Sequence, residues 1–212
     1  MNPYLKVFLG TVIPLGIFAG TALSASAGQV RIELVNVSCG NTEDVTGADE
    51  FYIVGALSDG TNTKAALTTP MDINNGQTKS FRADQRVIFD AYVPQGRTIR
   101  GGLKAFDEDF AKDWSKYGPT VNSITSVVAA GLTASGDPTA VTAGQILNWG
   151  VKGFGFFASL DKDDELGKLE MGVSAVGPNV EERSWRFRKT SSWYNPGWST
   201  WDYTVRYRIT RF

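Results

Sequence analysis

The feature that most restricts the fold is a recurrence of short stretches that alternate apolar and polar residues between tight-turn signals. Val30-Arg31-Ile32-Glu33-Leu34-Val35-Asn36-Val37 has the period-two pattern of a strand with one face buried and one face wet. Similar stretches run from Phe51 to Leu57, Lys79 to Phe81, Arg86 to Val93, Ile99 to Phe106, Lys168 to Val173, Ser184 to Lys189 and Tyr203 to Ile209. They are punctuated by Ser58-Asp59-Gly60, Asn74-Asn75-Gly76 and Pro94-Gln95-Gly96, of which Asn75-Gly76 is a strong tight-turn signal. A sheet with one apolar face needs a second layer over it, so about eight such strands predict an all-β fold, an antiparallel β-sandwich.

The first 27 residues read as export machinery. Lys6 precedes an apolar run from Val7 to Leu23, and Ala25-Ser26-Ala27 is an A-x-A cleavage pattern. The expected signal peptide is 1–27, cut after Ala27, which puts the mature chain outside the cytoplasm, in a periplasm or the extracellular space. The alternative is an uncut anchor, because the run approaches the roughly 17–25 residues that span a bilayer. Residues 28–212 suffice for one sandwich domain with a sizeable core and an insertion. The single cysteine, Cys39, allows no internal disulfide, so burial, with or without a bound metal, must hold the fold; it ends a strand pattern and reads as a small buried hydrophobe.

Between the fifth and sixth strand patterns the period changes. Thr120 to Leu132 repeats apolar residues at helical spacing, Val121, Ile124, Val127, Val128 and Leu132. Ser135-Gly136-Asp137-Pro138 breaks it, with Asp137 placed to cap and Pro138 to open a second apolar segment from Thr139 to Leu160. The insertion 111–158 is therefore expected to be a helical hairpin, its glycines permitting close helix packing. Such a hairpin either folds back over one sheet or projects to enter lipid, and a large exposed apolar patch is unusual on a soluble protein.

Three acidic runs sit against strand patterns: Glu43-Asp44 to Asp49, Asp107-Glu108-Asp109 and Asp161-Lys162-Asp163-Asp164. Carboxylates crowded at one end of a scaffold repel unless a cation lies among them, and an oxygen-only set selects calcium or magnesium. An EF-hand over Asp161 to Gly172 fails, because its sharp-turn glycine would be Leu166 and its final glutamate Gly172.

Gly47-Ala48-Asp49-Glu50-Phe51-Tyr52-Ile53-Val54-Gly55 resembles the first calcium loop of C2 domains, the calcium-dependent lipid-binding family. Leu103-Lys104-Ala105-Phe106-Asp107-Glu108-Asp109 is similar to that family's third loop, and Asp163-Asp164-Glu165-Leu166-Gly167-Lys168-Leu169 to the exit from it. The resemblance covers roughly Val30 to Val173, with a C2-like fold and bound Ca2+ as its implications. It assigns the metal ligands to Asp44, Asp49, Asp107, Asp109 and Asp164, leaving Glu43, Glu108, Asp113, Asp161 and Asp163 solvated or flanking. The sequence departs from the family in placing more than fifty residues between Asp109 and Asp164. The same resemblance puts the hairpin beside the ion.

The chain has no histidine, which removes Ser-His-Asp and Cys-His catalysis and histidine-bound zinc. Paired carboxylates can still hydrolyse glycosides, yet no acid here sits in an aromatic pocket pattern, so a binding protein rather than an enzyme is expected. A net charge of −1 argues against nucleic acid as partner. Arg186 and Arg188 alternate with Trp185 and Phe187, and Arg206 and Arg208 with Val205, Tyr207 and Ile209. Paired as a hairpin, these strands would carry an arginine ladder suited to phosphate, sulfate or carboxylate, or simply an ordinary polar outer face. The loop between them holds Trp193, Trp198 and Trp201, residues suited to a membrane interface or a sugar.

The expected function is a secreted, calcium-binding C2-like module that attaches to an anionic membrane or envelope surface. Two alternatives stand beside it. One is a calcium-stabilised carbohydrate-binding or adhesive sandwich that uses the tryptophan loop on a glycan. The other is a structural subunit that meets another extracellular protein.

Overall fold

In the computed structural model the described residues are 28–43, 47–108, 114–158, 164–190 and 200–212. The expected signal segment 1–27 and its cleavage site lie outside them, as do Asp44, Asp109, Trp193 and Trp198. The described strands are β1 (Gly28–Asn41), β2 (Asp49–Ser58), β3 (Thr63–Leu67), β4 (Met71–Ile73), β5 (Thr78–Ser80), β6 (Val87–Val93), β7 (Thr98–Asp107), β8 (Asp164–Ser174), β9 (Val180–Lys189) and β10 (Trp201–Arg211). They form two antiparallel five-stranded sheets, one of β5-β1-β10-β9 with β6 also on β1, the other of β3-β2-β7-β8 with β4 also on β2. The fold is a β-sandwich with two helices, α1 (Tyr117–Ala134) and α2 (Ala143–Ala158), between β7 and β8.

The count of about eight strands falls short by two among the described residues, β3 and β4. Thr63-Lys64-Ala65-Ala66-Leu67 has only Thr63 of the β-branched and aromatic residues that mark strands, and Met71-Asp72-Ile73 is too short to show a period. Both depend on their pairing with β2.

Strand β1 shows how the sequence sets the register. Val30, Ile32 and Leu34 are buried, and the phase then shifts by one so that Val37 and Cys39 are buried. The shift coincides with a β-bulge between Leu34 and Asn36 against β10. Without the extra residue, one half of the strand would turn its apolar side chains to water. The bulge also divides the edge of β1 between β6, paired from Gly28 to Glu33, and β5, paired from Asn36 to Ser38. Gly28 lies opposite Val93 at one end of the sandwich, and Asn41 lies opposite Asp202 at the other.

Strand β2 is buried on both faces. Phe51, Ile53 and Leu57 enter the core between the sheets, while Tyr52, Val54 and Ala56 pack with Ile124, Val128, Leu132, Ile146 and Phe154 of the helices. The unbroken apolar run from Phe51 to Val54 suits a strand covered on both sides rather than one with a wet face. The insertion thus folds back over the outer face of the second sheet, and no described helix is long and apolar enough to cross a membrane. Glycines let the helices approach closely: a Cβ on Gly131 would lie 2.5 Å from the Trp149 ring, and one on Gly153 2.6 Å from Ile124 Cα.

The second helix starts later than Asp137-Pro138 implies. The Asp137 carboxylate instead accepts bonds from Thr139 N–H at 2.9 Å and Thr139 Oγ1 at 2.7 Å, closing a turn. The cap is Thr142. Its Oγ1 accepts from Gln145 N–H at 3.2 Å, and Gln145 Oε1 accepts from Thr142 N–H at 2.9 Å, a reciprocal capping box of the T-x-x-Q form.

Candidate functional site

Strand register brings the ends of six strands together. β1 ends at Asn41 opposite Asp202, β2 begins at Asp49, and β7 ends at Asp107, which lies opposite both Phe51 of β2 and Asp164 of β8. β9 ends at Lys189 opposite Trp201. Glu43, Glu108, Asp164, Thr190 and Thr200, also at this end, are described residues that border 44–46, 109–113, 159–163 and 191–199. The described edges of the three acidic runs and of the tryptophan-rich loop therefore share one pole of the sandwich.

Asp49 is fully buried and Asp107 is 1 % exposed. Asp49 shares a strand face with Phe51 at spacing two, so it points between the sheets. Its Oδ2 accepts a hydrogen bond from Glu43 N–H at 2.6 Å and another from the Tyr203 hydroxyl of the facing sheet. Asp107 Oδ1 accepts from Glu50 N–H at 2.7 Å. These donors offset the cost of burying the carboxylates and fix their orientation. Glu108 is buried too, rather than solvated, and its N–H donates to Glu50 O at 3.3 Å.

Tyr203 is wedged between Phe51, at 5.3 Å between ring centroids, and Phe187, at 5.8 Å. Burial first, and then the hydrogen bond to Asp49, pushes its phenol far above the ordinary value, so the hydroxyl keeps its proton and donates it. Cys39 faces Tyr203 across the β1–β10 pair and is 2 % exposed. Burial raises its thiol, which leaves it a packed hydrophobe, as the sequence predicts, and removes a soft thiolate from this end.

The donor chemistry of the pole, carboxylate oxygen without thiolate or imidazole, fits a hard cation. Of the five expected ligands, Asp49 and Asp107 are brought to the same end, Asp164 stands opposite Asp107 in register, and Asp44 and Asp109 lie outside the described residues. Among the described residues no three His, Cys, Asp or Glu side chains gather closely enough to hold an ion.

The arginine ladder forms on the outer face of the β9–β10 hairpin, but acids from the same strands neutralise most of it. Arg186 grips Asp202 with Nε at 2.9 Å and Nη2 at 2.5 Å. Arg206 and Arg208 share Glu182 at 2.6 and 2.7 Å. The hydrogen bonds hold Glu182 and Asp202 below their ordinary values. Arg188, also exposed, makes no ion pair among the described residues. Trp201 is half-buried: its Nε1–H donates to Leu166 O at 2.7 Å, and the Lys189 ammonium stands 4.6 Å from its ring centroid.

Two solved neighbours are C2 domains. One, described as the structure of a C2 domain, is 13% identical over 87% of this chain and 97% of its own, with a TM-score of 0.38. The other, a C2 domain of plant Extended Synaptotagmin 1, is 12% identical over 85% of this chain and 93% of its own, with a TM-score of 0.37. Human GIVD cytosolic phospholipase A2 is 9% identical over 88% of this chain but only 17% of its own length, with a TM-score of 0.38. No family model matches the chain, and no curated protein does.

Sequence reasoning missed Tyr203 and Trp201 as struts between the sheets and missed the acids that neutralise the ladder. Tyr203 sits in an ordinary alternating strand, and nothing local marks the distant Asp49 as its partner. Glu182 and Asp202 could have been found, since pairing β9 with β10 in the register of their alternation sets each beside an arginine.

Proposed function

We propose that this chain is a binding module, not an enzyme, which takes up calcium at the acidic pole and through it attaches to an anionic membrane or envelope surface. The observation that carries this is the convergence of buried Asp49 and Asp107 at the end of the sandwich where β8 begins with Asp164. The sequence resemblance of those segments to C2 calcium loops supports calcium as the ion and lipid as the surface. Asp49 and Asp107 would hold the ion with Asp44, Asp109 and Asp164. When bound, the ion supplies positive charge that phosphate oxygens can share. The chain's own residues orient the carboxylates through Tyr203, Glu43 N–H and Glu50 N–H. Export, with cleavage after Ala27, belongs to the same proposal and rests on the 1–27 pattern.

The test is a calcium titration by calorimetry and thermal melting, beside Asp107→Asn. Saturable binding with a raised Tm in the parent, as linkage requires, and loss of both in the variant support the site. A parent that neither binds calcium nor changes Tm refutes it.

A further inference from the structure

We propose that a groove at the end of the β9–β10 hairpin binds a phosphate group, and that of the four ladder arginines only Arg188 contacts it. The proposal rests on the reading of this pole as the surface-binding end and names the chemistry recognised beside the ion. The groove has a volume of about 300 Å3 and is lined by Asn41, Arg188, Lys189, Thr190, Thr200 and Trp201. Among the described residues the one carboxylate on its wall is Asp202, which lies opposite Arg188 in register but is held by Arg186 through two hydrogen bonds.

The walls are fixed before any ligand arrives. Asn41 Nδ2 donates to Thr200 O at 2.6 Å and to Thr200 Oγ1 at 2.9 Å, which locks the approach to β10 onto the end of β1. Trp201 is pinned by its bond to Leu166 and covered by the Lys189 ammonium. The lining carries a guanidinium that makes no ion pair among the described residues, an ammonium and two threonines. Among the described residues the one carboxylate of this basic lining is already engaged, which suits a ligand that only accepts hydrogen bonds. A guanidinium fork matches two oxygens of a phosphate. Arg206 and Arg208 cannot play this part while Glu182 holds both.

The experiment compares Arg188→Gln with Arg206→Gln, which removes the same formal charge, in the purified protein. Binding is read on phosphatidylcholine vesicles doped with phosphatidylglycerol, and separately by calorimetry with glycerol phosphate. Both arginines are exposed, and melting checks that each variant folds. Arg188→Gln is expected to weaken vesicle binding about fivefold, and Arg206→Gln to leave it unchanged. Loss of glycerol phosphate binding in Arg188→Gln as well assigns a free phosphate site; a loss confined to vesicles assigns a lipid headgroup. Equal weakening in both variants overturns the proposal, because net charge alone then explains it, and so does an unaffected Arg188→Gln. Glycerol phosphate binding that depends on Arg188 without any vesicle binding keeps the groove and sinks the surface-attachment reading. No binding to either probe sinks both.

Discussion

The Tyr203 hydroxyl on β10 donates a hydrogen bond to Asp49 Oδ2 on β2, joining the two sheets directly beneath the acidic pole. Both residues are fully buried. Tyr203→Phe keeps the ring between Phe51 and Phe187 and removes only the donor to a buried carboxylate, a change that costs about 1–3 kcal/mol. Urea unfolding should show a lower midpoint with an unchanged slope. A midpoint equal to the parent's would mean that the contact contributes nothing to stability.

Gly153→Ala should destabilise, although alanine is the better helix former by about 1 kcal/mol. The added Cβ would sit 2.6 Å from Ile124 Cα, a backbone atom that cannot swing aside. Overpacking of this kind costs about 1–3 kcal/mol. Gly155→Ala, where a Cβ meets nothing within 4 Å, is the control and should be neutral or stabilising by thermal melting.

Stability should fall on acidification through the ladder acids. Hydrogen bonds from Arg208 and Arg206 hold Glu182 below its ordinary 4.5, and one from Arg186 holds Asp202 below 3.8. The unfolded chain therefore takes up these protons first, so their contribution is complete above about pH 5 and is lost as pH drops through the depressed folded values. Glu182→Gln with Asp202→Asn should flatten the acid limb of a Tm-against-pH curve. A slope as steep as the parent's would assign acid unfolding to other groups.

Glu182→Gln has a second expected effect. It releases Arg206 and Arg208 from their shared partner, and free guanidinium groups on an exposed strand face attract anionic surfaces. Binding to phosphatidylglycerol vesicles should tighten by about fivefold, and the gain should vanish at high salt. Unchanged binding would mean that the hairpin face does not meet the surface.

Much of the fold is legible in the sequence because burial writes its period locally. The phase change between Leu34 and Val37 encodes the bulge, and the run Phe51 to Val54 encodes a strand covered on both faces, which accounts for where the helices lie. The start of α2 is also written, in Thr142 and Gln145, but Asp137-Pro138 offers a competing cap whose carboxylate is used in a turn instead. The pole is less legible. Which acids share an end follows from order along the chain, whereas the Tyr203 strut and the neutralisation of Arg206 and Arg208 depend on contacts between strands, and charge pairing across a hairpin cannot be read from one strand alone.

Strand β1 carries a directional consequence. Its 14 residues run from Gly28 at one pole to Asn41 at the other, about 45 Å at some 3.3 Å per residue. While Ala27 remains joined to Gly28, an apolar segment seated in a bilayer would tether the far pole and aim the carboxylates outward, toward a second surface. Were that bond cut, as the export proposal holds, the domain would be free to tumble and could present those carboxylates to a membrane. A single proteolytic event would thus decide between a spacer that bridges two layers and a particle that lands on one.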